Sequence, residues 1–428
     1  MAAISGGIRS HPIFLTVLLL VACEPGRVGE EPASDAPLSG RALQCAPDQS
    51  GWQDYPHLLG ALHEHSGFSD GEIGTTPADY FAAGRGQGLD FMGASDHSDN
   101  LRLPVTANTD CLSADLPDCL QLPSADNPAG GFTKWEQMAT MAEAASDESF
   151  TGFRGFEWTS DRFGHINVFF SQNELNAKTE AGYAVSMEVF WTWFTQAPPV
   201  GGADGLLVFN HPGREDAVHS NIPDPAYTFN QFAFREEAAR RAIGVEVFGK
   251  SSDAYDTDNN APPEGWYAFA LDQGWSLGPV GAEDEHGTSW GQPDRAKTVL
   301  IAADRSPAAL REALLARRLY ALAQHHNAIR LNFTADAQPM GARLSRADGQ
   351  MVELRGAVTA GLPEGARLEL VSNGGELIAE SAGGALQQQV SADPTERWYY
   401  LRLRDAEGAP IAYSSPVWIV AGDYPACD

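Results

Sequence analysis

Basic residues are scarce in this chain. Lysine and arginine together number 28 against 57 aspartates and glutamates, a formal net charge of -29 over 428 residues. No nucleic-acid partner is expected from that balance, because a phosphate backbone is met by basic surface. Small anionic substrates stay open, since clustered multivalent cations reverse a local field. Cysteine is also rare, with 5 in the whole chain and none in a C-x-x-C pair, which argues against a thiolate metal site. Long apolar runs are missing apart from IFLTVLLLVA (13–22), which is too short for a spanning helix. What remains is ordinary for a globular protein, 43% hydrophobic and 20% charged. The length exceeds one ordinary domain and suggests two.

The single apolar run has the length of a signal-peptide core, follows Arg9 and ends in Cys23. Its ending, LVAC, resembles the lipobox of bacterial lipoproteins. The expectation is a lipoprotein signal peptide over 1–23, lipidated at Cys23. Export would then place the chain facing the periplasm or the cell surface, held at the membrane by its N-terminal lipid. The other reading is an ordinary secretory signal cut nearby. Residues 24–44, rich in Pro, Gly, Ser and acid, read as a flexible linker. Cys45, Cys111, Cys119 and Cys427 remain for disulfides in an exported chain. Cys111–Cys119 would close one loop and Cys45–Cys427 would join the ends, one pairing among several.

Over residues 45–325, short apolar runs alternate with helix-like stretches. The runs are HLLGAL, LDFMGA, FRGFEW, INVFF, LLVFN, VEVFG and SLGPVGA. Thr76-Pro77 opens one helix, with Thr as N-cap and Pro at the first helical position. Ser306-Pro307 opens PAALREALLARRLYAL in the same way, and FTKWEQMATMAEAA and FREEAARRA are further helices. Such alternation predicts a parallel sheet or α/β barrel. Over 326–428 the pattern changes to strand alternation, as in IRLNFTA, VELRGAV, ARLELVS and YYLRLRD. This region reads as a small antiparallel β-sandwich with a packing or binding role.

Most polar residues of one chemical kind fall at the C-terminal ends of the predicted strands, where barrel enzymes keep their active sites, while His165 begins its run. They are His63, His65 and Asp70 in LHEHSGFSDG, His97 in ASDH, Glu157 in FRGFEW, His165 in HINVFF, His211 in NHPG, and Asp284 and His286 in AEDEH. H-x-H on a strand puts both imidazoles on one face. Imidazole nitrogen with carboxylate oxygen suits Zn, Mn or Fe. So many ligands call for two or three divalent ions, with a carboxylate as bridge and a metal-activated hydroxide as nucleophile. No side chain is assigned as nucleophile. Asp96 and Glu246 are candidates for orienting the ligands from behind. Arg214 and Lys250 stand just past strand ends, where they would hold a substrate anion. His219, His325 and His326 fit no strand end.

Assembled in this order, the motifs resemble those of the polymerase and histidinol phosphatase (PHP) family of metal-dependent phosphoesterases. LHEHSGFSDG is similar to its first motif, ASDH to its second, NHPG to its third and AEDEH to its fourth. The resemblance covers about 55–325 and implies a distorted (β/α)7 barrel. It implies one ion on His63, His65, Asp284 and a bridging Glu157, a second on Glu157, His165 and His211, and a third on Asp70, His97 and His286. The C-terminal region resembles the exported carbaryl-hydrolase-like branch, in which aryl carbamate hydrolysis occurs. AEDEH departs from the common GSDSH by extra acids, which bear on the charge preference for substrate.

Three functions follow from these residues. The first is a phosphoesterase acting on a small-molecule ester. The second is a carbamate or carboxyl ester hydrolase with the same metal site. The third is a non-catalytic surface binding module that keeps a structural metal. Arg214 and Lys250 turned toward the metals favour phosphate. A pocket lined by Trp158, Phe163 and Trp290 favours an aryl ester.

Overall fold

A computed structural model describes residues 44–45, 49–102, 133–178, 185–214, 228–250, 253–257 and 261–425. The leader expected over 1–23 and Cys23, Cys111, Cys119, Cys427 and His219 lie outside them. Cys45 is disulfide-bonded, but neither expected pairing falls within the described residues.

Each apolar run before residue 325 becomes a strand. They are β1 (His57–Ala61), β2 (Phe91–Gly93), β3 (Thr151–Phe153), β4 (Gly155–Ser160), β5 (Gly164–Phe169), β6 (Leu206–Phe209), β7 (Ala242–Phe248), β8 (Gly278–Gly281), β9 (Lys297–Ile301) and β10 (Leu319–Leu322). β2 to β10 are buried at every position, which is why they read as continuous apolar runs. β1, β2 and β3 are parallel neighbours, and so are β6, β7 and β8.

The fold is mixed α/β, and the expected parallel barrel needs correction. β4, β5 and β6 pair antiparallel, and β9 runs antiparallel to both β1 and β10. The link 161–163 between β4 and β5 is too short for a parallel crossover, so the chain must turn back on itself. Strands β9-β1-β2-β3 belong to one sheet and β4-β5-β6-β7-β8 to another. Their ladders trace no closed ring among the described residues. Two isolated parallel bridges, Glu64 with Glu285 and His97 with Glu157, instead tie the sheets together at the polar end.

Helices cover this layer. α1 (Pro77–Gly86) starts at Thr76 in a capping box with Asp79, and α2 (Lys134–Ala145) starts at Thr133 in another with Glu136. α3 (Met187–Thr195) buries Phe190, Trp191, Trp193 and Phe194, and α4 (Trp266–Asp272) follows β7. Two helix expectations fail in part. FREEAARRA is helical only over Glu236–Ala239. α5 (Pro307–Leu315) stops before LYAL, which is β10. The break is at Arg317, which takes a left-handed backbone (φ 54). Its buried guanidinium donates to the carbonyls of Ser276, Ala239 and Ala242. Those bonds fix the corner that lets Tyr320 pair with Val299.

The remaining strands are β11 (Arg330–Ala335), β12 (Gln338–Pro339), β13 (Arg343–Arg346), β14 (Met351–Ala360), β15 (Arg367–Ser372), β16 (Glu376–Ala382), β17 (Ala385–Ser391), β18 (Arg397–Arg404), β19 (Pro410–Ser414) and β20 (Val417–Ala421). They are antiparallel except for β13 with β20. A 4-stranded sheet, β12-β11-β14-β17, faces the rest, which extends the 11-stranded sheet. Leu331, Phe333, Leu354, Leu368, Leu401 and Ile419 share the core of this region. β10 pairs with β19, so the 11-stranded sheet runs through the boundary expected at 325/326. Among the described residues, no helix is long and apolar enough to cross a membrane.

Candidate metal centre

The segment after β1 continues its alternation, so His63 and His65 face one way and Glu64 the other. His63 is fully buried. Its Nδ1 lies 2.7 Å from Glu246 Oε1; a carboxylate only accepts, so Nδ1 carries the proton. The Nε2 lone pair is thereby aimed inward, at His65 Nε2 (3.0 Å), Glu157 Oε1 (3.1 Å) and Asp284 Oδ1 (3.6 Å). Two imidazole nitrogens facing each other beside two carboxylates is an arrangement that a shared cation satisfies.

Glu157, on β4 and 1% exposed, is the hub. Nitrogens of His63, His165 and His211 lie 3.1, 3.1 and 3.3 Å from its Oε1, and His97 Nε2 lies 3.1 Å from its Oε2. Asn210 Nδ2 adds a bond of 2.8 Å to Oε1. Burial alone would raise the Glu157 carboxyl, but His165 and His63 hold it well below its usual range. Asp284 is also held well below against burial, by His63, His65 and Arg214. Burial opposes the charging of His63, yet Glu246, Glu157 and Asp284 raise it well above the ordinary histidine value. His97 is raised likewise to about 9 by Glu157 and Asp70 against burial. His65 goes the other way, to about 3, through burial and the neighbouring His286.

Asp70 forms a second focus. Its oxygens lie 3.2 Å from His286 Nε2 and 3.6 Å from both His65 Nδ1 and His97 Nε2. Candidate ligand atoms group as His65–Asp70–His97–His286, His63–His65–Glu157 and His97–Glu157–His165, each group lying within 4.8 Å. The candidate ligands expected from the sequence lie around these two foci, His211 and Asp284 included. Their grouping differs from the one the resemblance implies, because His65 reaches both foci and His97 touches Glu157. The residues fit divalent cations: nitrogen and carboxylate oxygen only, converging and crowded, buried apart from the exposed Asp70 and the half-buried His286.

Two of these residues sit on unusual backbone. His211 and Asp284 have φ of 25 and 47, in the left-handed region that non-glycine residues avoid. Such strain costs about 1–3 kcal/mol per residue and persists only where surrounding structure enforces it. At His211 the enforcement is visible: its N–H donates to Glu246 Oε2 at 2.8 Å. Glu246 thus grips two ligands at once. Asp96 accepts the Glu157 N–H on its backbone carbonyl (3.2 Å), while its carboxylate bonds elsewhere. It accepts from Ser66 N (2.7 Å), Ser66 Oγ (2.8 Å), Ser69 Oγ (3.1 Å) and Tyr80 Oη (3.2 Å), and so fixes the turn that carries Asp70.

The extra acids of AEDEH point away from the site. Glu283 is buried against Lys297 Nζ (2.8 Å), and Glu285 pairs with Arg295 (2.8 Å). They therefore do not set the charge that a substrate meets. Two cations do face the centre. Arg214 Nη1 donates to Asp284 Oδ2, and Lys250 Nζ lies 3.3 Å from His286 Nδ1. Trp158 and Trp290, expected to line an aryl pocket, are both buried. Both are packed in the core, and Trp290 Nε1 donates to the His65 carbonyl at 3.1 Å.

Sequence reasoning missed Asn210 and Tyr255. Asn210 was signalled by its place directly before His211. Tyr255 is buried with its ring 6.2 Å from that of His211. Burial, with Glu246 and Asp284 nearby, holds its phenol well above the usual tyrosine value.

No family model matches the chain, and neither does any curated protein. Among solved structures it is similar to a two-domain protein containing a predicted PHP-like metal-dependent phosphoesterase from Bacteroides vulgatus. The identity is 16% and the TM-score 0.43, over 88% of this chain and 99% of that one. That likeness is too slight to assign an activity, which has to come from the residues themselves.

Proposed function

We propose that this chain is a metal-dependent phosphoesterase, with His63, His65, Asp70, His97, Glu157, His165, His211, Asp284 and His286 as ligands in a barrel-like pairing of the two sheets. The observation that carries the reading is Glu157, one buried carboxylate approached within 3.3 Å by nitrogens of His63, His97, His165 and His211. Such crowding suits a carboxylate that bridges ions. Two or three divalent ions of Zn, Mn or Fe supply an activated hydroxide and neutralise charge on the ester oxygens. The chain's own residues do the rest. Glu246 fixes the His63 tautomer and the His211 backbone. Arg214 and Lys250 present positive charge on the Asp284 and His286 side, where an anionic ester would be oriented. This placement, with Trp158 and Trp290 in the core, favours a phosphate ester over an aryl carbamate.

The test uses the full chain loaded separately with Mn and Zn. A nitrophenyl phosphomonoester, a bis-nitrophenyl phosphodiester and a naphthyl carbamate are offered side by side, with His63→Ala as control. Turnover of either phosphate, lost in the variant, is expected. Turnover of the carbamate alone would transfer the same residues to an ester hydrolase. Metal binding without any turnover would leave a binding module.

A further inference from the structure

Several buried polar atoms near Glu157 make no hydrogen bond, Asn210 Oδ1 and Trp158 Nε1 among them, and the Tyr255 hydroxyl is another. Tyr255 opens the 3-10 turn Tyr255–Thr257 that follows β7 and is 3% exposed. Its Oη is fully enclosed and makes no hydrogen bond. Buried hydroxyls in native proteins are nearly always bonded; Tyr400 Oη also makes no hydrogen bond, but Tyr255 stands beside the centre, its ring 6.2 Å from that of His211. Three nearby carboxylate oxygens are already engaged. Glu246 takes His63 Nδ1 on one oxygen and the His211 N–H on the other, and Asp284 Oδ2 takes Arg214. The chain on either side of Tyr255 is tied down by hydrogen bonds. Asp253 N bonds Lys250 O (3.2 Å), Gly249 N bonds Asp253 O (3.0 Å), and Asp256 Oδ1 accepts from Tyr267 N (2.8 Å). The hydroxyl fits against Gly249, where any side chain would overlap it.

We propose that Tyr255 is a further substrate-contacting residue, whose hydroxyl donates a hydrogen bond to an ester oxygen on the Asp284–Arg214 side of the metal centre. The proposal rests on the hydrolase reading above. The phenol keeps its proton throughout and breaks no bond. Its contribution is a fixed dipole aimed at developing negative charge, which needs no reorganisation during reaction. Arg214 supplies the full charge on the same side, and Tyr255 supplies direction.

Tyr255→Phe keeps the ring and removes only the donor. In the Mn-loaded full chain, kcat on bis-nitrophenyl phosphate should fall about 10- to 100-fold, the range for losing a bond to a charged acceptor. KM, metal content and melting temperature should change little, which separates the proposal from a merely structural role. Gly249→Ala, which displaces the hydroxyl without touching it chemically, should reproduce the loss and guards against a fault peculiar to the Phe variant. A Tyr255→Phe enzyme with kcat within about twofold of wild type overturns the proposal and leaves the hydrolase reading standing. If wild type turns over neither phosphate ester, the hydrolase reading fails, and calorimetric binding of inorganic phosphate to the Mn-loaded chain decides on Tyr255. Phosphate affinity weakened in both variants upholds the contact. Equal affinity, or no phosphate binding by wild type, overturns it.

Discussion

Glu246 is the group whose removal tests the architecture of the centre most directly. It accepts from His63 Nδ1 at 2.7 Å and from the His211 N–H at 2.8 Å, with both partners buried. Consider Glu246→Gln. Shape is kept and charge is lost. A glutamine offers one acceptor oxygen and one NH2 group, yet both of its neighbours are donors. If the oxygen serves His63, the NH2 faces the His211 N–H; if it serves His211, the His63 tautomer is released. One charge-assisted bond, worth about 1.5–3 kcal/mol, is lost in either case. The consequence falls on the metal, because a His63 free to protonate Nε2 no longer aims a lone pair inward. Metal affinity should drop about 10- to 100-fold, as for other partners that stand behind a ligand. Calorimetric titration of the full chain with Mn and with Zn reads this directly. Circular dichroism should show the same fold, and Glu369→Gln, which disturbs the distant ion pairs with Arg402 and Arg404, should bind metal normally. Unchanged affinity in Glu246→Gln would refute the claim that His63 is held as a ligand.

Two further outcomes are expected. In chelator, the melting temperature should peak near neutrality. The raised pKa values of His63 and His97 contribute stability that is complete below about pH 6.5 and lost as pH rises through the His97 value of about 9. The lowered values of Glu157, Asp284 and His65 contribute stability that is lost on the acid side. Added Mn should abolish the alkaline fall by holding the ligands deprotonated, and a melting temperature in chelator that climbs from neutrality to about pH 9 would contradict the assignment of charge. Arg214→Ala, compared on bis-nitrophenyl phosphate and the naphthyl carbamate, should lose about 10- to 100-fold in kcat/KM on the charged ester and little on the neutral one. Equal losses on both would remove Arg214 from anion recognition.

Much of the centre was legible because ligands obey local rules. His63 and His65 share a face by strand alternation, and His97, His211 and Asp284 stand where apolar runs end. Those rules act over a few residues and survive any error about how strands pair. Pairing itself was not legible. β4 and β5 were read as consecutive parallel strands, and only the short link 161–163 betrayed the hairpin. The helix drawn through LYAL failed for a related reason. Alternation in a fully buried strand leaves no polar positions, so the helical periodicity of PAALREALL seemed to continue until Arg317 turned the corner. Glu246 and Tyr255 were harder still. Glu246 lies in a plain apolar run, and its two partners come from distant segments. Tyr255 lies past the end of β7 in a turn without regular pattern, and its proximity to His211 exists only in three dimensions.

On the proposed function, the charge of the centre would reconcile an acidic chain with an anionic substrate. Without metal, Asp70, Glu157, Glu246 and Asp284 crowd one site, and Arg214 bonds to Asp284 as a resident cation. Divalent ions held by the same carboxylates would compete with that guanidinium for Asp284 and would offset the carboxylate charge. Arg214, whose side chain is 36% exposed, and Lys250 would then stand on the side of the centre where the proposed ester would arrive. On this reading metal uptake does more than build the reaction centre. It converts Arg214 from a partner of Asp284 into a partner of the substrate, so anion affinity and metal occupancy should rise together. Inorganic phosphate should therefore bind only weakly in chelator and tighten as Mn is added, and an affinity independent of Mn would show that the anion site and the metal centre are separate.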